Sequence, residues 1–306
     1  MYNSLNYIPS FFQGQWKNDK KNGKGEYFYI TSKEHYSGSF LDGLRHGKGT
    51  FKFAFGEVYV GDFEFGVKQG KGILTYTPES SYTGSFSDDR ANGFGKMIYP
   101  NGDVYEGEWK DGCKEGKGKY VFKDGSIYEG DWIADEKNGQ GRLTLTNGDK
   151  YEGCWIDGER SGEGTYKYKD GGIYHGEWKN DKKNGVGLLL LANHENSKNI
   201  LSSLPSQILQ KKINNNGIID NIEEEHYYGE WYEGEKNGKG IYIFSNGDKY
   251  DGYWKAGRRE GQGVYMWKDC RVYEGGWTND MMNGKGKYRD QNGGERETTF
   301  KDGEEI

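Results

Sequence analysis

The feature that most constrains this chain is a short pattern that returns eleven times at an almost fixed interval. It consists of two aromatic residues with a glycine midway between them, followed after six residues by Gly-x-Gly. The interval is 23 residues, except for one step of 24 and one of 53, which predicts repeated small units with an insertion after the eighth copy. The copies begin at Phe12, Tyr36, Tyr59, Tyr82, Tyr105, Tyr128, Tyr151, Tyr174, Tyr227, Tyr250 and Tyr273.

The second aromatic position holds eight of the nine tryptophans, and copies two to four place phenylalanine there instead. Only 32% of the residues are hydrophobic, half of that share is aromatic, and 51 residues are glycine. There is too little Leu, Ile and Val for a thick core. We therefore expect aromatic rings packed against glycine in place of a globular interior.

Each copy has the spacing of a β-hairpin. Tyr105, Gly107 and Trp109 are two residues apart and share one face of a strand, and Gly118 and Tyr120 share one face of the next. The strand glycines are expected to let an aromatic ring from a neighbouring strand lie over bare backbone. Dipeptides that favour positive φ angles mark the predicted turns: Asn101-Gly102, Asp124-Gly125, Asn147-Gly148 and Asn246-Gly247 between copies, and Asp111-Gly112 and Asp157-Gly158 within them.

Units such as YEGEWKDGCKEGKGKYVFKDGSI, at residues 105–127, closely resemble the MORN repeat, and the resemblance covers residues 12–190 and 227 to about 300. It implies an all-β fold, an elongated single-layer twisted antiparallel sheet of about eleven 23-residue β-hairpin repeats with one insertion after the eighth. It also implies a scaffold in ciliary axonemes, such as the radial spoke head, in cytoskeletal rings or at membrane junctions. Phosphoinositide binding has been proposed for the family as well.

The repeats divide the chain into five segments. We expect a lead-in at 1–11, repeats one to eight at 12–192, an insertion at 193–226, repeats nine to eleven at 227–295, and a degenerate C-terminal cap at 296–306. The insertion leaves two interpretations open. Leu204, Ile208 and Leu209 fit one face of a short helix, whereas the polar run at 214–217 is typical of a flexible loop.

Patterns typical of catalysis or cofactor binding were not found. The chain has no GxxxxGK[ST] loop and no GxSxG elbow, and its five histidines lack metal-ligand spacing. We expect no catalytic residue, no metal, no cofactor and no small-molecule substrate. A net charge of -6 also argues against nucleic acid as a partner.

The aromatic face has two interpretations. Its rings pack on one another as the core, or they leave a groove that binds a helix or an extended peptide of a protein partner. The residues predicted for that groove are Tyr105, Trp109, Tyr120, Tyr128, Trp132, Tyr151, Trp155, Tyr166, Tyr174 and Trp178. Unpaired strands at the ends of the sheet also predict a homodimer through a terminal repeat.

Charge is distributed unevenly along the chain. Residues 1–77 carry ten Lys or Arg against seven Asp or Glu, and residues 78–306 carry 32 against 41. Anionic lipid is therefore a second predicted partner, with contact at Lys17, Lys20, Lys21 and Lys24.

The predicted location is the cytoplasm, at the cytoskeleton, a cilium or the inner face of a membrane. The three cysteines lack disulfide or zinc spacing and fit a reducing compartment. An extracellular carbohydrate or choline binder is a third interpretation, because other aromatic and glycine-rich hairpin repeats have that role. The absence of a signal-peptide pattern argues against it.

Overall fold

The structure is a computed structural model that describes residues 10–77, 79–191 and 225–306. These residues form 24 β-strands and contain no helix, so the predicted all-β fold is confirmed. Most of the predicted lead-in and insertion lies outside the described residues. The chain divides into two compact units, 1–141 and 142–306, and each is treated separately below.

The first unit is an antiparallel meander in which each strand pairs with its neighbours in sequence. Its strands alternate between the first and second strand of a repeat. They are β1 (Phe11–Lys17), β2 (Lys20–Tyr29), β3 (Glu34–Leu41), β4 (Leu44–Lys52), β5 (Val58–Glu64), β6 (Val67–Thr77), β7 (Ser80–Ser87), β8 (Arg90–Ile98), β9 (Val104–Lys110), β10 (Cys113–Val121), β11 (Ile127–Ile133) and β12 (Glu136–Thr144), which begins in this unit.

The second unit has the same antiparallel pairing between sequence neighbours. Strands β16 and β17 pair directly although 35 residues separate them in sequence, so the insertion leaves the ladder unbroken. The strands are β13 (Lys150–Ile156), β14 (Glu159–Lys167), β15 (Ile173–Lys179), β16 (Lys182–Leu190), β17 (His226–Tyr232), β18 (Glu235–Ile243), β19 (Lys249–Lys255), β20 (Arg258–Met266), β21 (Val272–Thr278), β22 (Met281–Arg289), β23 (Glu295–Lys301) and β24 (Glu304–Glu305).

The two glycines of Gly-x-Gly have different structural roles. Gly116 has a φ of 66° and lies in a bulge where the β9–β10 pairing shifts register. Gly118 faces Gly107 across the hairpin, and a Cβ on it would lie 2.3 Å from the Tyr105 hydroxyl oxygen. The ring that covers both strand glycines therefore comes from within the hairpin and belongs to the same strand as Gly107.

The turns within and between repeats differ in type. Asp111 and Gly112 both have positive φ, 50° and 90°, as a type I′ turn requires. In the turn between repeats four and five only the glycine does so: Gly102 has a φ of 92° and donates its N–H to the Tyr99 carbonyl at 2.9 Å. Asn101 instead uses its side-chain oxygen to accept the N–H of Asp103 at 3.0 Å.

The first aromatic residue of the repeats forms the core. Ten tyrosines at this position are at most 2% exposed, and the ring of Tyr105 meets Trp109 and Trp132 edge to face at 5.1 and 5.2 Å. The Tyr105 hydroxyl donates to the Glu108 carbonyl at 2.9 Å. Rings, strand glycines and one hydrogen bond thus close this side of the sheet in every such repeat.

An aspartate in three of the inter-repeat turns ties one repeat to the next. The buried carboxylate of Asp103 accepts hydrogen bonds from the Tyr120 hydroxyl at 2.6 Å, the Asn101 amide at 2.7 Å and the Lys123 N–H at 2.7 Å. Asp149 and Asp248 repeat the arrangement. The Tyr120 hydrogen bond is the main reason that the pKa of Asp103 is lowered, and burial opposes it.

Replacing Asp103 with alanine is expected to lower the free energy of unfolding at pH 7 by about 2 kcal/mol, because the Tyr120 hydroxyl and the Lys123 N–H lose their acceptor. The wild-type contribution is complete above the ordinary carboxyl pKa of 3.8 and is lost as pH falls through the lowered pKa. Urea unfolding at neutral and acidic pH, with the exposed Glu106→Ala as control, checks this. An Asp103→Ala deficit that stays constant down to about pH 2 would contradict it.

Candidate partner-binding faces

The ten predicted groove residues all lie on the aromatic face. Eight of them are at most 8% exposed, so solvent reaches almost none of their ring surface. The tryptophan indoles are also engaged: that of Trp109 donates to the Gly95 carbonyl and that of Trp178 to the Gly164 carbonyl, both at 3.2 Å. Partner binding by these ten residues stays a prediction, and only Tyr120 and Tyr166 are half-buried.

A row of cations covers the aromatic face. The second strand of a repeat carries Lys or Arg opposite the second aromatic residue, as Lys114 lies opposite Trp109. The charged end of that side chain lies over rings of its own repeat and the next; the Lys114 ammonium is 4.4 Å from the Trp132 ring centroid. Burial against these rings lowers the pKa of Lys183 and of Lys236 to about 8 in each case.

The opposite face of the first unit forms a groove along β1–β8, here named the N-terminal groove. Its volume is about 990 Å³, and the strand glycines of repeats one to four form its floor. Because successive side chains alternate between faces, the residues next to those glycines line it. Val60, Ile73 and Phe94 are among them and are 49, 46 and 57% exposed.

The N-terminal groove is positively charged. Four lysines and one glutamate line it: Lys24, Lys48, Lys71, Lys96 and Glu26. Lys48 pairs with Asp62 at 2.7 Å and Lys71 donates to the Ser85 hydroxyl at 2.7 Å. The result is an exposed apolar strip flanked by basic side chains.

The four lysines predicted to contact lipid occupy three different settings. Lys17 and Lys20 are exposed on either side of the first turn, and Lys24 lines the N-terminal groove. Lys21 instead lies in the cation row, 4.0 Å from the Tyr27 ring centroid, and burial lowers its pKa. Lys17, Lys20 and Lys24 are therefore exposed to solvent, and Lys21 lies against aromatic rings.

The repeats of this chain match a known sequence family. The profile of the MORN repeat matches eleven segments, at residues 12–31, 36–56, 59–80, 82–104, 105–127, 128–150, 151–173, 174–195, 227–249, 250–269 and 273–295. The chain belongs to the MORN repeat family. The suspected resemblance is thereby confirmed over most of the chain.

Two curated proteins are similar to a short part of the chain. A 67-residue segment is 31% identical to Alsin of Mus musculus and to Alsin of Homo sapiens, which is 21% of this chain and 4% of each Alsin. The chain therefore matches only a small fraction of the length of these relatives.

Two solved structures align with the chain at low TM-scores. The TCP10 domain of Danio rerio CPAP with a peptide of Danio rerio STIL has a TM-score of 0.33 and 10% identity, covering 95% of this chain and 100% of that one. The same domain alone scores 0.36 at 12% identity, covering 75% and 95%. At such scores the hairpin repeats themselves, and not these structures, establish the fold.

The later MORN repeats carry a different charge pattern on the groove side. Lys117 pairs with Asp131 at 2.6 Å, and Lys119 pairs with Glu129 at 3.0 Å. The carboxylate of Glu108 accepts the N–H of Lys117 at the bulge. Copies two to four lack most of these acidic residues, which is why the lysines of the N-terminal groove keep a net positive charge.

Over 10–77, 79–191 and 225–306, no three His, Cys, Asp or Glu side chains come together as metal ligands would. In the same residues, no helix is long and apolar enough to cross a membrane.

Proposed function

We propose that this MORN repeat protein is a non-catalytic scaffold that binds a protein partner in the N-terminal groove and organises a cytoskeletal, axonemal or membrane-associated assembly. The observation that carries the proposal is the exposed apolar strip of Val60, Ile73 and Phe94 in a groove whose other side chains are polar. Exposed apolar strips of this kind mark interaction surfaces.

The charge of the groove indicates the partner's chemistry. Four lysines against Glu26 and the Asp62 that pairs with Lys48 leave a net positive charge, which favours a segment that combines acidic with apolar residues. Eight strands at the usual spacing span roughly 34 Å, which accommodates about ten residues of extended peptide or a helix of about 22 residues. A helix or an extended peptide of this composition is the proposed ligand.

The proposal is tested by selecting ligands from a display library of random peptides about 20 residues long. We expect the selected peptides to be rich in Asp, Glu and apolar residues. Their affinity for Val60→Asp/Ile73→Asp should fall at least about tenfold, because the strip then carries two anions. Isothermal titration measures that affinity.

The matched control is Ile133→Asp/Ile156→Asp. These isoleucines are 52 and 53% exposed, similar to Val60 and Ile73, but belong to later repeats and do not line the groove. Peptides should bind this variant as tightly as the wild type. Selected peptides that bind the groove variant normally, or a library that yields no ligand, would refute groove binding.

A second candidate function is peripheral membrane binding through anionic lipid. It is favoured by the exposed Lys17 and Lys20 at the first turn together with the groove lysine Lys24. Vesicles containing phosphoinositide should then bind the protein at low salt and release it as salt rises. Equal binding by Lys17→Ala/Lys20→Ala/Lys24→Ala would count against these residues as the contact.

Self-association through a terminal repeat remains a separate proposal. In the described residues the outer edge of β1 has no partner strand, and Phe11 and Trp16 are 47 and 60% exposed beside it. Such edges favour pairing between copies. A monomeric mass across a wide concentration range would dismiss it.

A further inference from the structure

One repeat has no long side chain at its position in the cation row. Nine of the eleven repeats place Lys or Arg at the row position, namely Lys21, Arg45, Lys68, Lys114, Lys137, Arg160, Lys183, Lys236 and Arg259. Repeat eleven fills it with Met282, opposite Trp277. Repeat four has Ala91, opposite Phe86, whose side chain ends at Cβ.

The rings that a cation at position 91 would cover are in place. Lys114 lies over the first tyrosine of its own repeat, Tyr105, and the second aromatic of the next, Trp132. The equivalent rings around Ala91 are Tyr82 and Trp109, which meet edge to face at 5.2 Å. Across the described ranges, no Lys or Arg lies over either ring as the other row members do.

A cleft of about 570 Å³ occupies the missing side chain's place. Ala91, Tyr82, Trp109, Met97 and Tyr99 line it. Elsewhere in the row the equivalent space holds the stem and charged end of Lys or Arg. The cleft therefore has both the aromatic wall and the room for such a side chain from another molecule.

Carboxylates at the rim make the cleft suitable for a cation. Asp89 accepts the N–H of Lys68 at 2.9 Å, and Asp135 accepts the N–H of Lys114 at 2.9 Å; both aspartates line the cleft and are exposed. Lys68, Arg90 and Lys114 line it too. The row places consecutive cations one repeat apart elsewhere, as Arg45 precedes Lys68 and Lys236 precedes Arg259, so a guest cation between Lys68 and Lys114 has native precedent.

We propose that the cleft at Ala91 is a binding site for a lysine or arginine side chain of a partner protein, which completes the cation row in repeat four. The guest's ammonium or guanidinium lies over Tyr82 and Trp109, where the ring faces attract positive charge. The site lies on the aromatic face, opposite the N-terminal groove, and does not depend on binding there.

The test uses small probes and the indole N–H signals of the protein in two-dimensional NMR. N-acetyl-arginine amide and N-acetyl-lysine amide should shift the Trp109 indole signal, assigned with Trp109→Phe, with a Kd on the order of millimolar. N-acetyl-norleucine amide, which has no charge, should not. Equal shifts with norleucine would show an apolar pocket and overturn the proposal.

Two variants complete the test. Ala91→Lys should abolish the shift at Trp109 and raise the thermal midpoint by roughly 2 °C, because it fills the row from within. Lys114→Ala should open the same position one repeat later, so that the cationic probes also shift the Trp132 indole signal. Undiminished probe binding by Ala91→Lys, or a response at Trp132 in Lys114→Ala without one at Trp109 in the wild type, would overturn the proposal.

Discussion

Replacing Tyr174 with alanine is expected to lower the free energy of unfolding by about 4 kcal/mol, the usual range for removing a buried aromatic side chain. The ring has no solvent exposure and meets Trp178 and Trp231 edge to face at 5.2 and 5.3 Å. The ring joins repeat eight to repeat nine through Trp231, and the single-layer sheet has no deeper core from which the cavity could be filled. Urea unfolding followed by circular dichroism measures the loss.

Two control variants separate the contribution of the Tyr174 ring from that of its hydrogen bond and from that of an exposed substitution. Tyr174→Phe keeps the ring and removes only the hydrogen bond to the Glu177 carbonyl, which is 2.9 Å long, and should cost about 1 kcal/mol. Lys179→Ala changes an exposed residue of the same strand and should cost less than about 0.5 kcal/mol. If Tyr174→Ala were no worse than Tyr174→Phe, the ring would not be part of the core.

Replacing Gly118 with alanine is expected to cost about 3 kcal/mol, although a single methyl group is added. Its Cβ would lie 2.3 to 2.5 Å from the Tyr105 hydroxyl oxygen, Cε2 and Cζ. Those atoms cannot move freely, because the ring is fully buried and its hydroxyl donates to the Glu108 carbonyl. The same urea unfolding experiment reports the change.

Gly112→Ala is the matched control for that substitution. Gly112 has a φ of 90°, but no atom lies within 4 Å of its added Cβ, so only backbone strain of about 1 kcal/mol is expected. The difference between the two variants isolates the close approach of ring and backbone. Similar costs for both would mean that the Tyr105 ring does not lie on Gly118.

The period of the sequence was enough to predict the hairpins, because Tyr105, Gly107 and Trp109 specify both a strand and the face that it buries. It did not show which face remains open. The aromatic face was the predicted groove, and the Tyr105 ring lies on Gly107 and Gly118 there, so little of that face is open in repeat five. The distance between ring and glycine depends on side-chain direction, which spacing alone does not reveal.

The sequence contains a signal of the N-terminal groove, but the spacing of the repeat alone did not reveal its meaning. The loss of acidic residues in copies two to four was visible, but its meaning depends on Val60 and Ile73 facing each other across β5 and β6. The Asp103 contacts were missed for a similar reason, since Tyr120 and Lys123 are 17 and 20 residues away in sequence. An Asn-Gly-Asp triplet at a fixed place in the repeat was the available clue.

The central claim, that a protein partner occupies the N-terminal groove, is tested most directly by photo-crosslinking in cells. A photoreactive residue would replace Thr83, an exposed side chain in the groove, or Glu152, its exposed equivalent in repeat seven. We predict one defined protein crosslinked from position 83, through a segment of acidic and apolar residues, and none from position 152. The same crosslinked products from both positions, or only lipid from position 83, would contradict the account.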